Sequence, residues 1–329
     1  MNILVTGGAG YIGSILTEEL VAEGHKVVVY DNLVMGHRAA VHPDAAFVEA
    51  DIADTEVLTR TLRKYSVEAV MHLAAFTSVG ESVSNPEKYI QNNYVASVSL
   101  LDAMVASGVK RIVFSSTAAV YGEPKRLPLT EEDETLPINT YGESKLAVEK
   151  ALWEYHKKHG LRFVALRYFN VGGASVDNGE WHDPETHLIP DILNTARGKD
   201  DILEIYGNDY PTPDGTCVRD YIHVEDLAKA HILALKSLDT FSGVYNLGTG
   251  IGNSVSEVIE AARRITGEPI PVKFIERRPG DPAILTASAE KIKRELGWEP
   301  QKDNLDKIIG SYWLWLQNNP DGYDDKNKV

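Results

Sequence analysis

A glycine-punctuated turn near the start of the chain constrains its fold more than any other feature. Asn2-Ile3-Leu4-Val5 is an apolar, β-branched run, and Gly7, Gly8, Gly10 and Gly13 follow it. Helical spacing then covers 12–23 and ends at Gly24. A strand that passes through glycines directly into a helix brings backbone amides close to a phosphate, whose charge the helix N-terminus stabilises. Gly8-x-Gly10-x-x-Gly13 in that context points to the pyrophosphate of a dinucleotide.

The same rhythm continues. Apolar runs at 26–30, 46–49, 69–72, 111–114 and 163–166 alternate with helical stretches at 55–64, 86–106 and 141–159. Strands that read as nearly continuous apolar runs belong to a parallel sheet covered on both faces. The expected fold class is therefore α/β, a Rossmann-type doubly wound parallel sheet. Residues 171–187 and 207–220, rich in Gly, Asp, Asn and Pro, read as ordered loops. The run 244–247 is a candidate return to the main sheet, and 254–266 reads as a helix with Ser254 and Glu257 forming a capping box.

The balance of charge narrows the partners. A net charge of −15 argues against general affinity for nucleic acid or an anionic membrane, so an anionic ligand would need a local cluster of arginines. Cys217, the single cysteine, allows no intrachain disulfide and reads as a packed residue. No apolar run approaches the ~18 residues of a membrane span, and the strand at Asn2 leaves no room for a cleaved signal. A cytoplasmic protein is expected.

Asp31 lies eighteen positions after Gly13, just past the second strand. A carboxylate there accepts from ribose hydroxyls and repels a 2′-phosphate, which favours NAD over NADP. Asp51 and Ile52, after the third strand, are candidates for the adenine edge. Tyr141 and Lys145 are four apart in a helical run and so share a face. Tyr121 and Lys125 have the same spacing, but Gly122 and Pro124 oppose a helix there. Bringing a phenol from about 10 to about 7 needs roughly 4 kcal/mol, toward which a neighbouring ammonium contributes. Thr117, at the end of a strand, has a hydroxyl able to bridge tyrosine and substrate, or simply to bond the local backbone. This reading assigns no residue to a metal.

Taken together, Gly7-x-x-Gly10-x-x-Gly13, Asp51-Ile52, His72-Leu73-Ala74-Ala75, Ser115-Ser116-Thr117, Tyr141-x-x-x-Lys145 and Arg167-Tyr168-Phe169-Asn170 resemble the extended short-chain dehydrogenase/reductase family. Val79-Gly80-Glu81-Ser82, His187-Leu188-Ile189-Pro190, Tyr206-Gly207-Asn208-Asp209-Tyr210, 214–224 and Arg277-Arg278-Pro279-Gly280-Asp281 narrow the likeness to its nucleotide-sugar epimerases, over nearly the whole chain. The resemblance implies tightly held NAD, a UDP-hexose substrate and a homodimer built on the helices at 86–106 and 141–159. It implies oxidation at the sugar C4, rotation of the 4-keto intermediate and return of hydride to the other face. Tyr141 would take the 4-hydroxyl proton, Lys145 would hold the nicotinamide ribose and depress the tyrosine, and Thr117 would steady the reacting oxygen.

By the same resemblance, Tyr11, Ile12, Asn32, Leu73, Ala74, Ala75, Asn92 and Phe169 join the cofactor site. Asn170, Leu188, Tyr206, Arg219, Arg278 and Asp281 would line the UDP-sugar site. His187 reads either as a ligand contact or as a structural histidine, while His223 and Asp226 read as structural. The implied division is a dinucleotide-binding unit over 1–169 with a return at 222–247. A smaller α/β substrate domain would comprise 170–221 and 248–319, and 320–329 would be a frayed tail.

Three positions depart from the pattern. Thr117 replaces a serine and keeps the hydroxyl, and Thr77 stands where relatives place a lysine near the cofactor phosphates. Leu285 stands where some have tyrosine beside the sugar, which leaves room for N-acetylated UDP-hexosamines. Two rival readings remain: a nucleotide-sugar dehydratase, and a silent NAD-binding sensor or scaffold. Ala118 and Ala119 follow Thr117 where a dehydratase needs an acid and a base, and the intact Thr117, Tyr141 and Lys145 set speaks against silence.

Overall fold

The computed structural model describes residues 1–278 and 281–324. Its first half runs β1 (Asn2–Thr6), α1 (Tyr11–Ala22), β2 (Lys26–Asp31), β3 (Ala46–Glu49), α2 (Thr55–Lys64), β4 (Ala69–His72), α3 (Val79–Ser84), α4 (Pro86–Tyr89), α5 (Ala96–Ser107), β5 (Arg111–Thr117), α6 (Thr140–His159) and β6 (Arg162–Tyr168). After this come β7 (Asn170–Gly172), α7 (Leu188–Ala196), β8 (Leu203–Tyr206), β9 (Val218–His223), α8 (Val224–Ser237), β10 (Gly243–Leu247) and β11 (Gly252–Ser254). The chain closes with α9 (Val255–Thr266), β12 (Val272–Ile275), β13 (Ile284–Leu285), α10 (Glu290–Leu296) and α11 (Leu305–Asn318).

Seven strands form one parallel sheet in the order β10-β6-β5-β4-β1-β2-β3. Side chains alternate between its faces, and both faces are buried. Ile3, Val5, Val27, Val29, Met71, Val113, Val164 and Leu166 pack into one core, which α1 and α8 cover. Leu4, Val28, Tyr30, Val70, Ile112, Phe114, Phe163 and Ala165 pack into the other, under α2, α5 and α6. Each such side chain removed from water contributes roughly 1.5–3 kcal/mol, which is why these strands carry almost no polar residues. The strand order reverses beside β1, and a crevice opens at the carboxyl ends of the strands there.

The strands β7, β8, β9, β11, β12 and β13 with α7, α9 and α11 form a smaller α/β assembly, whereas α10, expected in that part, packs Ile292 into the core of the main sheet beside β10 and α8. β9 pairs with β7 and β13 in parallel and with β11 antiparallel, while β12 pairs with β8. Its core joins Ile189, Leu193, Val258, Ala262, Ile308, Tyr312 and Trp315 from α7, α9 and α11. Among the described residues no helix is long and apolar enough to cross a membrane.

Four local expectations need correction. The helix expected over 86–106 is interrupted by a π-helical turn, Ile90–Val95, between α4 and α5. There Asn93 turns inward, accepting from the Phe76 amide and donating to the Phe76 carbonyl, both at 2.9 Å. The loops expected at 171–187 and 207–220 contain the end of β7 and the start of β9, because their backbones pair across strands, Val171 with Ile222 and Val218 with Ile284. The tail at 320–324 is docked: the Tyr323 ring lies against His37 and Trp315, and its hydroxyl donates to the Gly179 carbonyl at 2.9 Å. Residues 325–329 lie outside the described residues.

Candidate active site

The first wall of the crevice is backbone. Gly7 adopts φ +70, and a Cβ there would meet the Ala74 amide nitrogen at 2.7 Å. A Cβ on Gly13 would sit 2.1 Å from the Gly7 carbonyl oxygen, so only glycine lets α1 dock this close to the turn. The Gly10 amide closes the turn by donating to the Gly7 carbonyl at 3.2 Å, while no side chain caps α1 and no acid occupies its first turn, which leaves the amides at Tyr11 and Ile12 available to an anion. Gly8 has a different task, since its missing Cβ makes room for Val29.

Asp31 ends β2 beside this cradle. Its Oδ2 accepts from the Ala9 amide at 3.0 Å and its Oδ1 from the Leu33 amide at 2.8 Å. Burial pushes its carboxyl up while those two amides pull it back. Further out, the Asn32 amide donates to Asp51 Oδ2 at 2.8 Å, so the two residues act as one unit, and Ile52 is buried beneath them. The opposite wall is Leu73, Ala74 and Ala75, which follow His72. That ring is clamped between the Thr6 and Ser97 hydroxyls at 2.7 Å each, and burial pulls its pKa down to about 3, so it is neutral. Asn92, on the π-helical turn, and Phe169 complete a cavity of about 700 Å³. A cradle closed to a Cβ at Gly7 and Gly13, free helix-end amides and an anchored carboxylate together fit a dinucleotide without a 2′-phosphate.

Thr117, Tyr141 and Lys145 line the same cavity. Asn139 caps α6 by accepting from the Gly142 amide at 2.9 Å. Gly142 is tolerated in the first turn for a steric reason, because a Cβ there would lie 2.5 Å from the Ala119 carbonyl oxygen. This close approach sets Tyr141 near Thr117, whose hydroxyl favours the phenolate. Thr117 Oγ1 accepts from the Ala119 amide at 3.1 Å, the local backbone bond that is one of its two readings. One turn on, Lys145 Nζ donates to the Ser115 carbonyl at 2.9 Å and lies 5.0 Å from the Phe114 ring centroid.

The electrostatics differ from the expectation in one respect. Burial is the largest influence on Tyr141 and raises it, with the Thr117 hydrogen bond opposing. Burial also lowers Lys145 to about 7, so its charge is partial near neutrality and does not offset the burial of the phenol.

Sequence reasoning missed the support beneath these groups. Glu149, buried on α6, accepts from Ser116 Oγ at 2.5 Å and forms a bidentate pair with Arg167 at 2.9 and 2.6 Å. Arg167 reaches the Tyr121 hydroxyl at 3.0 Å, and that hydroxyl donates to Asn246 at 2.6 Å. The available signal was an acid exactly one helical turn beyond Lys145, on the face that must be buried.

Of the residues expected at the sugar end, Asn170, His187 and Leu188 line the cavity. Tyr206, Arg219, Arg278, Asp281 and Leu285 lie outside its lining. Arg219 sits two residues from the lining Tyr221 on β9, but it is paired with Asp281 at 2.5 Å. The Arg278 guanidinium stacks 3.9 Å from the Tyr206 ring centroid. Leu285 is opposite Arg219 in the β9–β13 register and packs on the cluster that contains Phe169. His187 Nδ1 lies 3.0 Å from both Glu180 Oε1 and Glu185 Oε1, so that nitrogen is committed to the loop. Cys217 is buried with its Sγ 4.0 Å from Asp281 Oδ2. Pro279 and Gly280, of the 277–281 motif, lie outside the described residues.

Comparison with known proteins agrees with this geometry. A UDP-glucose 4-epimerase of Lacticaseibacillus casei is 52% identical over 331 residues, covering 99% of this chain and 100% of the relative. The crystal structure of UDP-glucose 4-epimerase from Brucella ovis in complex with NAD superposes with a TM-score of 0.91 at 49% identity, over 94% of this chain and 96% of that one. The Bifidobacterium longum UDP-glucose 4-epimerase, solved with NAD+ and UDP, gives 0.94 at 40% identity over 98% and 100%. The NAD dependent epimerase/dehydratase family matches residues 3–248, and the chain belongs to it.

Proposed function

We propose that this chain interconverts UDP-galactose and UDP-glucose, with NAD held along the Gly7–Asp31 wall. The observation that carries the reading is that Thr117, Tyr141 and, one helical turn on, Lys145 line the cavity that the glycine cradle opens into. When bound, NAD supplies a hydride acceptor at the sugar C4 that returns the hydride to the other face. Tyr141 takes the proton of the 4-hydroxyl and later gives it back to the ketone. Thr117 holds the reacting oxygen next to the phenol, and the cationic form of Lys145 favours the phenolate. Ala118 and Ala119 add no acid or base beyond these groups, which favours epimerisation over water loss.

Arg219, Arg278, Asp281 and Tyr206 form the uridine diphosphate end in this reading, with the Arg219–Asp281 pair opening to meet the pyrophosphate. Exposed Val83, Ile90, Val95 and Trp153 on α3 to α6 support a homodimer, which sedimentation equilibrium tests. The lone cysteine supports a cytoplasmic location. Purified protein incubated with UDP-galactose and no added nucleotide should yield UDP-glucose. A dehydrated sugar, or no conversion while NAD is demonstrably bound, would overturn the assignment.

A further inference from the structure

Outside the reaction centre, the loop between β7 and α7 gathers a set of donors that the mechanism does not use. Glu180, His182, Glu185 and His187 repeat the pattern Glu-x-His, and one ligand atom from each lies within 4.8 Å of all the others. His187 Nδ1 is 3.0 Å from Glu180 Oε1 and 3.0 Å from Glu185 Oε1. His182 Nδ1 is 3.4 Å from Glu180 Oε1 and 3.8 Å from Glu185 Oε2. A tetrahedron with metal–ligand bonds of about 2.0–2.1 Å has edges near ~3.4 Å, and the four His–Glu separations, 3.0, 3.0, 3.4 and 3.8 Å, bracket that length.

The surroundings also fit an ion. His182 Nδ1 is wholly buried, yet no hydrogen bond of ordinary geometry satisfies it. Glu185 is held in place by the Thr186 and His187 amides, which donate to Oε1 at 2.7 and 2.9 Å. Such backbone support orients a ligand before the metal arrives. Two adjacent carboxylates out of water need compensating charge, and a dication balances them with both imidazoles neutral.

We propose that Glu180, His182, Glu185 and His187 bind one zinc ion as a four-coordinate structural centre. Two imidazoles select a borderline metal over magnesium or calcium, and four protein donors leave no position for substrate. The ion fixes a wall of the cavity. His182 and His187 line it, His187 is the N-cap residue of α7, and the Trp181 carbonyl is bonded to the His37 Nε2 at 2.9 Å. This assignment reverses the expectation that no metal is involved, and it stands whether or not the epimerase reading does.

The test needs no turnover assay. Untagged full-length protein, expressed with zinc in the medium and dialysed, is analysed by inductively coupled plasma mass spectrometry. On the order of one zinc per chain is expected. The double variant His182→Gln, Glu185→Gln should lose it by more than about tenfold while its circular dichroism stays that of the parent. Treating the parent with a chelator should lower its thermal midpoint, and ZnCl2 should restore it, whereas the variant should respond to neither. If the variant does not fold, zinc-edge anomalous diffraction from the parent decides the matter. Metal content equal to the dialysis buffer, with no saturable uptake of ZnCl2 by chelator-treated protein, would overturn the site.

Discussion

Arg167 and Glu149 meet in a bidentate ion pair, at 2.6 and 2.9 Å, with both side chains buried. The pair joins β6 to α6, and Ser116, next to Thr117, hydrogen-bonds the same carboxylate. The end of β5 that carries Thr117 is thus held from below by charges taken out of water.

Removing one member leaves the other buried and uncompensated. Glu149→Leu or Arg167→Met alone should lower stability by about 3–5 kcal/mol. The double variant should lose less than the sum of the two. Urea unfolding of the three proteins checks this, and additive losses would mean that the pair is not a unit.

Tyr141→Phe keeps the ring packing and removes the proton carrier. Turnover of UDP-galactose should fall by about 10²–10⁴-fold, while NAD released on denaturation stays at the parent level. A Phe variant of parental activity would remove Tyr141 from the mechanism.

Gly13→Ala places a methyl 2.1 Å from the Gly7 carbonyl oxygen. The cradle must open, so the purified variant should carry at least about tenfold less NAD. Gly310→Ala, where a Cβ meets nothing within 4 Å, is the control and should keep its cofactor.

Glu18 offers a pH test of stability. Burial lifts it from an ordinary value of 4.5 to about 7, with hydrogen bonds from Asn178 and Ser175 opposing. Between those two values the folded protein holds a proton that the unfolded chain has released, so this group's contribution to stability falls as pH rises through that window. Glu18→Gln should therefore stabilise the protein above pH 7, by up to about 3 kcal/mol, and have little effect below pH 4.5. Denaturant midpoints at pH 4 and pH 8 measure it; a gain equal at both would refute the titration.

Leu285 packs on the cluster that contains Phe169. A larger ring should narrow the sugar end, so Leu285→Tyr should lower the ratio of UDP-N-acetylgalactosamine to UDP-galactose turnover. An unchanged ratio places Leu285 away from the sugar.

What the sequence determined by itself was whatever depends on near neighbours. The strand–glycine–helix turn, the two-faced apolar strands, the capping box of α9 and the four-residue spacing of Tyr141 and Lys145 all follow from local backbone geometry, and all were legible. Pairings across the fold were decided only by tertiary structure. Glu149 with Arg167, Tyr121 with Asn246, Arg219 with Asp281 and the docked Tyr323 each join positions whose separation no periodicity encodes. The π-helical turn belongs with them, because the inward bonds of Asn93 to Phe76 exist only once α5 lies against the end of β4. Burial, too, had to be assembled: the phenol and the ammonium share a helix face by spacing alone, but what shifts their protons is the water excluded when that face closes on the sheet.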